Sequence, residues 1–368
     1  MRQVFIMAIL FLMCWTKLDA DEWNYSIQTI PQYDALFTKE KGWTGADGAY
    51  SIALSDTKTL WLYSDSFIGS IFEGRHKDAT MVNNTIGIQL GKDISTDCVK
   101  FFWQTAKDGK EASFITPSDN VGWFWLFHGI LANEKLYLFL LQTIKTDDKS
   151  VFGFQQIGTV LGEVDNPQDD PMTWRIHQYK VPFGRYTNKG NTFFGSFLIK
   201  DEGYIYIYGA KEDWIIGTRG MIVASVQENE IKDFSKWRFF GNGQWKSDLN
   251  EATELFYGLA SEYSISFQPM LQKYVAIYTE NGMSRNIMMR FSNTPVGPWS
   301  EPEKIYECPD EKWHNTYFCY AAKAHPELSE PDDIVITYVC NSTDFWQMAS
   351  DARIYRPKFL RLKFQKSK

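Results

Sequence analysis

Five stretches of the chain repeat one pattern of alternating apolar and polar positions, each entered from a turn: TLWLYSDSF at 59, KLYLFLLQT at 135, YIYIYGAKE at 204, KYVAIYTEN at 273 and DIVITYVCN at 333. Their starts lie 76, 69, 69 and 60 residues apart. Alternation of this kind marks a strand with one buried face. Each stretch follows another apolar and aromatic run across its turn, at 49–54, 123–131, 193–199, 263–267 and 317–324. Each also precedes a third, at 85–90, 154–164, 221–226, 286–292 and 354–364. Trp103, Trp174, Trp237 and Trp299 recur where a fourth, outer strand belongs.

Helical periodicity is almost absent. The pattern predicts an all-β chain folded as a five-bladed β-propeller, with four-stranded antiparallel blades around a central channel. A pair of β-sandwiches is the competing arrangement, and five repeats of one strand pair with no break in composition argue against it. The segment from Trp23 to Ile30, ahead of the first hairpin, is placed to complete the last blade and close the ring.

Residues 1–20 stand apart. Arg2, an apolar run from Val4 to Cys14 and a small residue at Ala20 read as a secretory signal peptide. A single propeller domain over 21–368 and a secreted location follow. No later run reaches the roughly 18 to 20 apolar residues of a transmembrane helix. A formal net charge of -7 argues against nucleic acid or an anionic membrane as partner. Aromatic residues make up 16% of the chain, with 14 tryptophans and 19 tyrosines, and their faces suit sugar rings. Carbohydrate is the expected partner, and a monomer the expected state. In an oxidising compartment Cys98, Cys308, Cys319 and Cys340 permit disulfides. Cys319 and Cys340 flank a turn at 329–332 and are the favoured pair.

The stretch Gly42 to Gly69, GWTGADGAYSIALSDTKTLWLYSDSFIG, carries the likeliest chemistry. Counting outward from the turn at Asp56 and Thr57 places Asp47 and Asp65 nearly opposite each other. Cross-strand neighbours lie roughly 4.5 to 8 Å apart, close enough for two carboxylates to perturb each other's ionisation. The plain alternative is that both aspartates cap turns. In a propeller the leading residues of the innermost strands face one mouth of the channel. Asp47 stands 18 residues before Asp65, and Glu262 18 before Glu280, so Asp47 and Glu262 occupy one register in different blades. The inner strands of the remaining blades offer His128, Ser196, and Lys323 with His325.

With these hairpins placed, the Gly42–Gly69 stretch, MVNNTIGIQ, SEYSISF, GPW, and AAKAHPELS followed by VITYVCNS resemble the secreted proteins grouped as domain-of-unknown-function families 4185 and 5005. The resemblance runs from about Gly42 to Phe364. It implies a five-bladed propeller related to furanosidases, some members of the first family being endo-D-arabinanases, and it implies glycoside hydrolysis at the channel mouth. The family form nearer to G-D-T is Ser64-Asp65-Ser66 here. The aspartate is kept, and its neighbours differ.

Glycosidic cleavage commonly uses one carboxylic acid to protonate the leaving oxygen and one carboxylate to activate water or attack the anomeric carbon. Asp47 is expected as base or nucleophile, Glu262 as acid and Asp65 as the group that orients or tunes them. Alternatively Asp47 and Asp65 form the pair, and Glu262 binds a hydroxyl. Asn83, Asn84, Trp125, His128, Arg219 and His325 are candidate substrate-binding residues. Each has an ordinary structural reading as well: a turn for the asparagines, packing for Trp125 and the histidines, solvation for Arg219. No cofactor is required, and a calcium or other ion in the channel is compatible with the sequence although no loop motif marks one. A G-x-S-x-G elbow, a phosphate-binding loop and an H-E-x-x-H helix are absent. A propeller that binds sugar without turnover and a protein-interaction propeller are the alternatives from other classes.

Overall fold

A computed structural model describes residues 23–91 and 98–367, so the segment expected as a signal peptide lies outside the described residues. Five antiparallel sheets follow one another along the chain. Their inner strands are Lys41–Ser55, Trp123–Ala132, Gly190–Asp201, Tyr263–Gln268 and Tyr317–Ala324. This is the five-bladed propeller that the alternation predicts.

The ring closes as its pattern suggests. Trp23–Thr29 pairs along its whole length with Lys358–Lys366 and becomes the outermost strand of blade five. Both ends of the described chain therefore hold one sheet. Cys319 and Cys340 stand directly opposite each other in the same blade, Cα atoms 4.1 Å apart, joined by a disulfide.

Two blades depart from four simple strands. Blade three adds Arg185–Thr187 inside and Gln244–Lys246 outside, making six. In blade one the third strand is broken into Arg75–Val82 and Thr85–Leu90, both paired with Lys58–Phe72. The first two strands are 15 residues each, so the leading half of the first, the trailing half of the second and Arg75–Val82 rise beyond the ring as a three-stranded wall. Asn83 and Asn84 sit at the break.

Apolar side chains fill the spaces between sheets. Trp43 stacks on Phe101 with ring centroids 4.2 Å apart, and Trp61 meets Phe37 edge to face at 4.9 Å. The channel is packed shut below its mouth, where Tyr50, His128, Lys323 and His325 are buried. Among the described residues no helix is long and apolar enough to cross a membrane.

Candidate active site

The inner strand of blade one does not run regularly. Ala46 pairs with Ser66 and Gly48 with Tyr63, so Asp47 stands against Ser64 and Asp65 inside a register shift. Gly48 has φ +86° and Ala49 φ +57°. Two successive left-handed residues twist the strand, and a bulge of this kind re-aims a side chain. Inner strands of blades two, three and five shift register too, the last around Ala321, φ +58°.

Each acid has its own setting. Asp65 Oδ1 accepts the Trp125 indole N–H at 2.9 Å and the Asn83 amide at 3.1 Å. Burial nevertheless pushes its carboxyl up to about 6. Asp47 is raised too, first by burial and then by the charges of Asp65 and Glu262. That mutual repulsion places the three carboxylates in one electrostatic neighbourhood. The Tyr320 hydroxyl donates to Asp47 Oδ2 at 2.8 Å, while Asp47 Oδ1 is buried without a partner among the described residues. Unsatisfied buried oxygens are rare and often mark where a bound molecule completes the hydrogen bonding. The Tyr355 hydroxyl is a second hydrogen-bonding neighbour of the same carboxylate, itself pushed up by burial and then by Asp47.

Glu262 ends the loop that leads into blade four, and its Oε1 lies 3.4 Å from Lys323 Nζ. Lys323 is fully buried. Its ammonium also donates to the carbonyls of Gly48 and Ala321 and sits 4.5 Å over the Tyr50 ring. Burial holds this lysine below its ordinary pKa, against the pull of Glu262 and Asp47. One cation thus ties the bulge of blade one, the inner strand of blade five and the acid of blade four together.

The structure brings Asp47, Asp65, Glu262, Asn83 and Trp125 to one mouth. The other candidates have protein partners. Asn84 is fully buried, bonded through its amide to Ile115 and Phe124. His128 receives the Leu198 N–H on Nδ1 and donates from Nε2 to the Ser51 carbonyl at 3.1 Å. His325 is bonded to Ser51 and Thr337. Burial depresses both imidazoles, His128 to about 3. Arg219 donates to Glu212 at 2.7 Å and to the Leu259 carbonyl, at the junction of blades three and four. Tyr320 and Tyr355 were not singled out from sequence. Tyr320 had one available signal: it leads the inner strand of blade five, at the level that Asp47 leads blade one. No group of three or more His, Cys, Asp or Glu among the described residues is arranged to hold a metal ion.

Residues 31–364 match a family described as a domain of unknown function, DUF5005. The chain belongs to the DUF5005 family. No curated protein matches this DUF5005 chain in sequence. Among solved structures, a Bacteroides ovatus protein designated a putative hydrolase superposes with a TM-score of 0.72 at 19% identity, over 92% of this chain and 90% of that one. A GH43_1 enzyme from Xanthomonas citri, complexed with xylose, aligns over 92% of this chain and 93% of its own, at 13% identity and a TM-score of 0.46. At 19% identity the likeness to the Bacteroides ovatus protein is one of fold.

Proposed function

We propose that this chain is a glycoside hydrolase, secreted by virtue of its leader, that cleaves a polysaccharide or oligosaccharide at the channel mouth. The observation that carries the reading is the convergence of Asp47, Asp65 and Glu262 from two blades, close enough for the other two charges to raise Asp47. Structural ion networks pair carboxylates with cations; here Asp47 and Glu262 share the field of a single buried lysine, and Asp65 adds a third carboxylate beside Asp47. Such crowding costs stability and is characteristic of sites that move protons.

Asp47 is assigned the base or nucleophile role. Burial and the charges of Asp65 and Glu262 favour its protonated form, opposed by the hydrogen bond that Tyr320 donates, and the same charges make it a stronger base than an ordinary aspartate once it is ionised. Its unpartnered Oδ1 is the oxygen left for water or the anomeric centre. Glu262, on the facing blade, protonates the leaving oxygen. Asp65, fixed by Trp125 and Asn83, tunes Asp47. A furanose-containing, arabinan-like glycan is the preferred substrate, a choice that rests on the family resemblance alone.

A sugar-binding propeller without turnover is the second reading, supported by the half-buried Trp123 and Trp125 beside the acids. The two separate in one experiment. The protein is incubated with arabinans, arabinogalactans and other plant, algal and bacterial glycans, and both reducing-end release and retention on each glycan are followed. Release of new reducing ends is the expected result; retention without release would hand the site to the second reading.

A further inference from the structure

Two aromatic runs flank the acids and meet above them. On blade two, Trp123 and Trp125 lie edge to face at 6.1 Å, and Trp125 packs against Phe154 at 4.6 Å. On blade five, Tyr320 lies 5.5 Å from Phe318. Phe318 in turn lies 6.4 Å from Phe152, which belongs to the blade-two loop just before Phe154. The first run ends on Asp65 through the Trp125 indole, and the second on Asp47 through the Tyr320 hydroxyl. Blade one stands between blades two and five in the ring. The Phe152–Phe318 contact therefore links the two neighbours of blade one at the mouth on which Asp47 opens.

Behind the aspartates the raised wall of blade one packs on blade five. The Phe67 ring is 5.6 Å from that of Tyr355 and 6.2 Å from that of Phe345, and the Ala352 N–H donates to the Gly74 carbonyl at 2.8 Å. The mouth is thus walled along blades five, one and two. Its approach lies over blades three and four, where Glu262 stands.

We infer that this wall makes the site a dead end for a glycan chain, so that a single terminal sugar unit is held beneath the Phe152–Phe318 bridge and removed from the chain end. This rests on the hydrolase reading above and adds the substrate class, chain ends instead of interior bonds. Interior cleavage needs the polymer to leave the acids in both directions, and the aromatic arc blocks one of them. Phe152 is 43% exposed, and Trp125 and Phe318 keep part of their surface, so ring faces remain for the C–H face of one sugar. The bond from the terminal anomeric carbon to the next unit's oxygen breaks. Water supplies the hydroxyl at that carbon, and the leaving oxygen takes the proton from Glu262, which is restored by the proton that Asp47 removes from water.

Timed digests of the glycan that is cleaved, separated by size, test this. Single sugar units should appear from the first time point. Phe152→Ala combined with Phe318→Ala should raise KM for a short oligosaccharide about tenfold, as expected for losing two aromatic contacts, and should let longer products appear, with circular dichroism confirming the fold. A ladder of oligosaccharides from the unaltered protein would overturn the dead end while leaving hydrolysis intact. Where no glycan is cleaved, the hydrolase reading falls instead. Calorimetric titration of Asp47→Asn with arabinotriose, free or capped at its non-reducing and reducing ends, then tests the wall. Loss of binding on capping one end supports it, and equal affinity for all forms overturns it.

Discussion

Asp65 is the residue at which the electrostatic account is most exposed. Its carboxyl titrates near 6 in the fold against an ordinary 3.8, raised mainly by burial. The folded protein therefore holds this proton more tightly than the unfolded chain does. The associated stability is complete below about pH 4 and is lost as pH rises through about 6, by at most roughly 3 kcal/mol and by less because the side chain keeps some contact with solvent. Asp65→Asn should remove that loss, so its melting temperature should gain on the parent's between pH 4 and pH 7. The same change removes a charge that raises Asp47. Asp47 then ionises at lower pH, and the acidic limb of kcat/KM should move to lower pH. A limb that stays in place would mean that Asp65 does not tune the base.

At the scale of single elements, much was written in the alternation. Counting from the turn put Asp47 across from Asp65, and the ladder has them there. Alternation records side-chain type, however, and a bulge adds a residue without altering that record. Gly48 and Ala49 carry the strand through two left-handed conformations, and nothing in the apolar pattern marks them. Nor did the pattern mark the break in the third strand of blade one, because Arg75–Val82 continues the polar and apolar mixture of its neighbours. A Cβ on Gly48 would lie 3.2 Å from the Ser64 backbone nitrogen at φ +86°. Gly48→Ala should cost on the order of 1–2 kcal/mol and displace Asp47. Turnover should fall about a hundredfold, the effect of roughly 1 Å of misplacement, in a protein that still folds by circular dichroism.

For the whole molecule, five repeats and a leading strand sufficed to predict a closed ring, since each hairpin announces itself locally and the seven-residue strand at Trp23–Thr29 had no other partner nearby. The contacts that finish the site were out of reach for the same reason. Trp125 and Asp65 are 60 residues apart, and Tyr320 and Asp47 are 273 apart, joined only by the order of blades. His128 and His325 illustrate the converse: sequence puts them on inner strands, but only the packed ring shows that their nitrogens are taken up by blades one, three and five. The disulfide tightens the blade that closes the ring, bridging residues 21 apart. Cys319→Ser with Cys340→Ser should cost about 2–4 kcal/mol, seen as an earlier urea midpoint; an unchanged midpoint would show that closure does not depend on it.

The most direct measurement is the rate of reducing-end release from the cleaved glycan by the parent protein, Asp47→Asn and Glu262→Gln at matched folding. The account predicts that each substitution lowers the rate by about 10²–10⁴-fold, that Glu262→Gln keeps much of its activity on an aryl glycoside whose leaving group needs no proton, and that Asp47→Asn does not. Parent-like rates from both variants would contradict it, because the acids gathered at the mouth would then have no part in the chemistry.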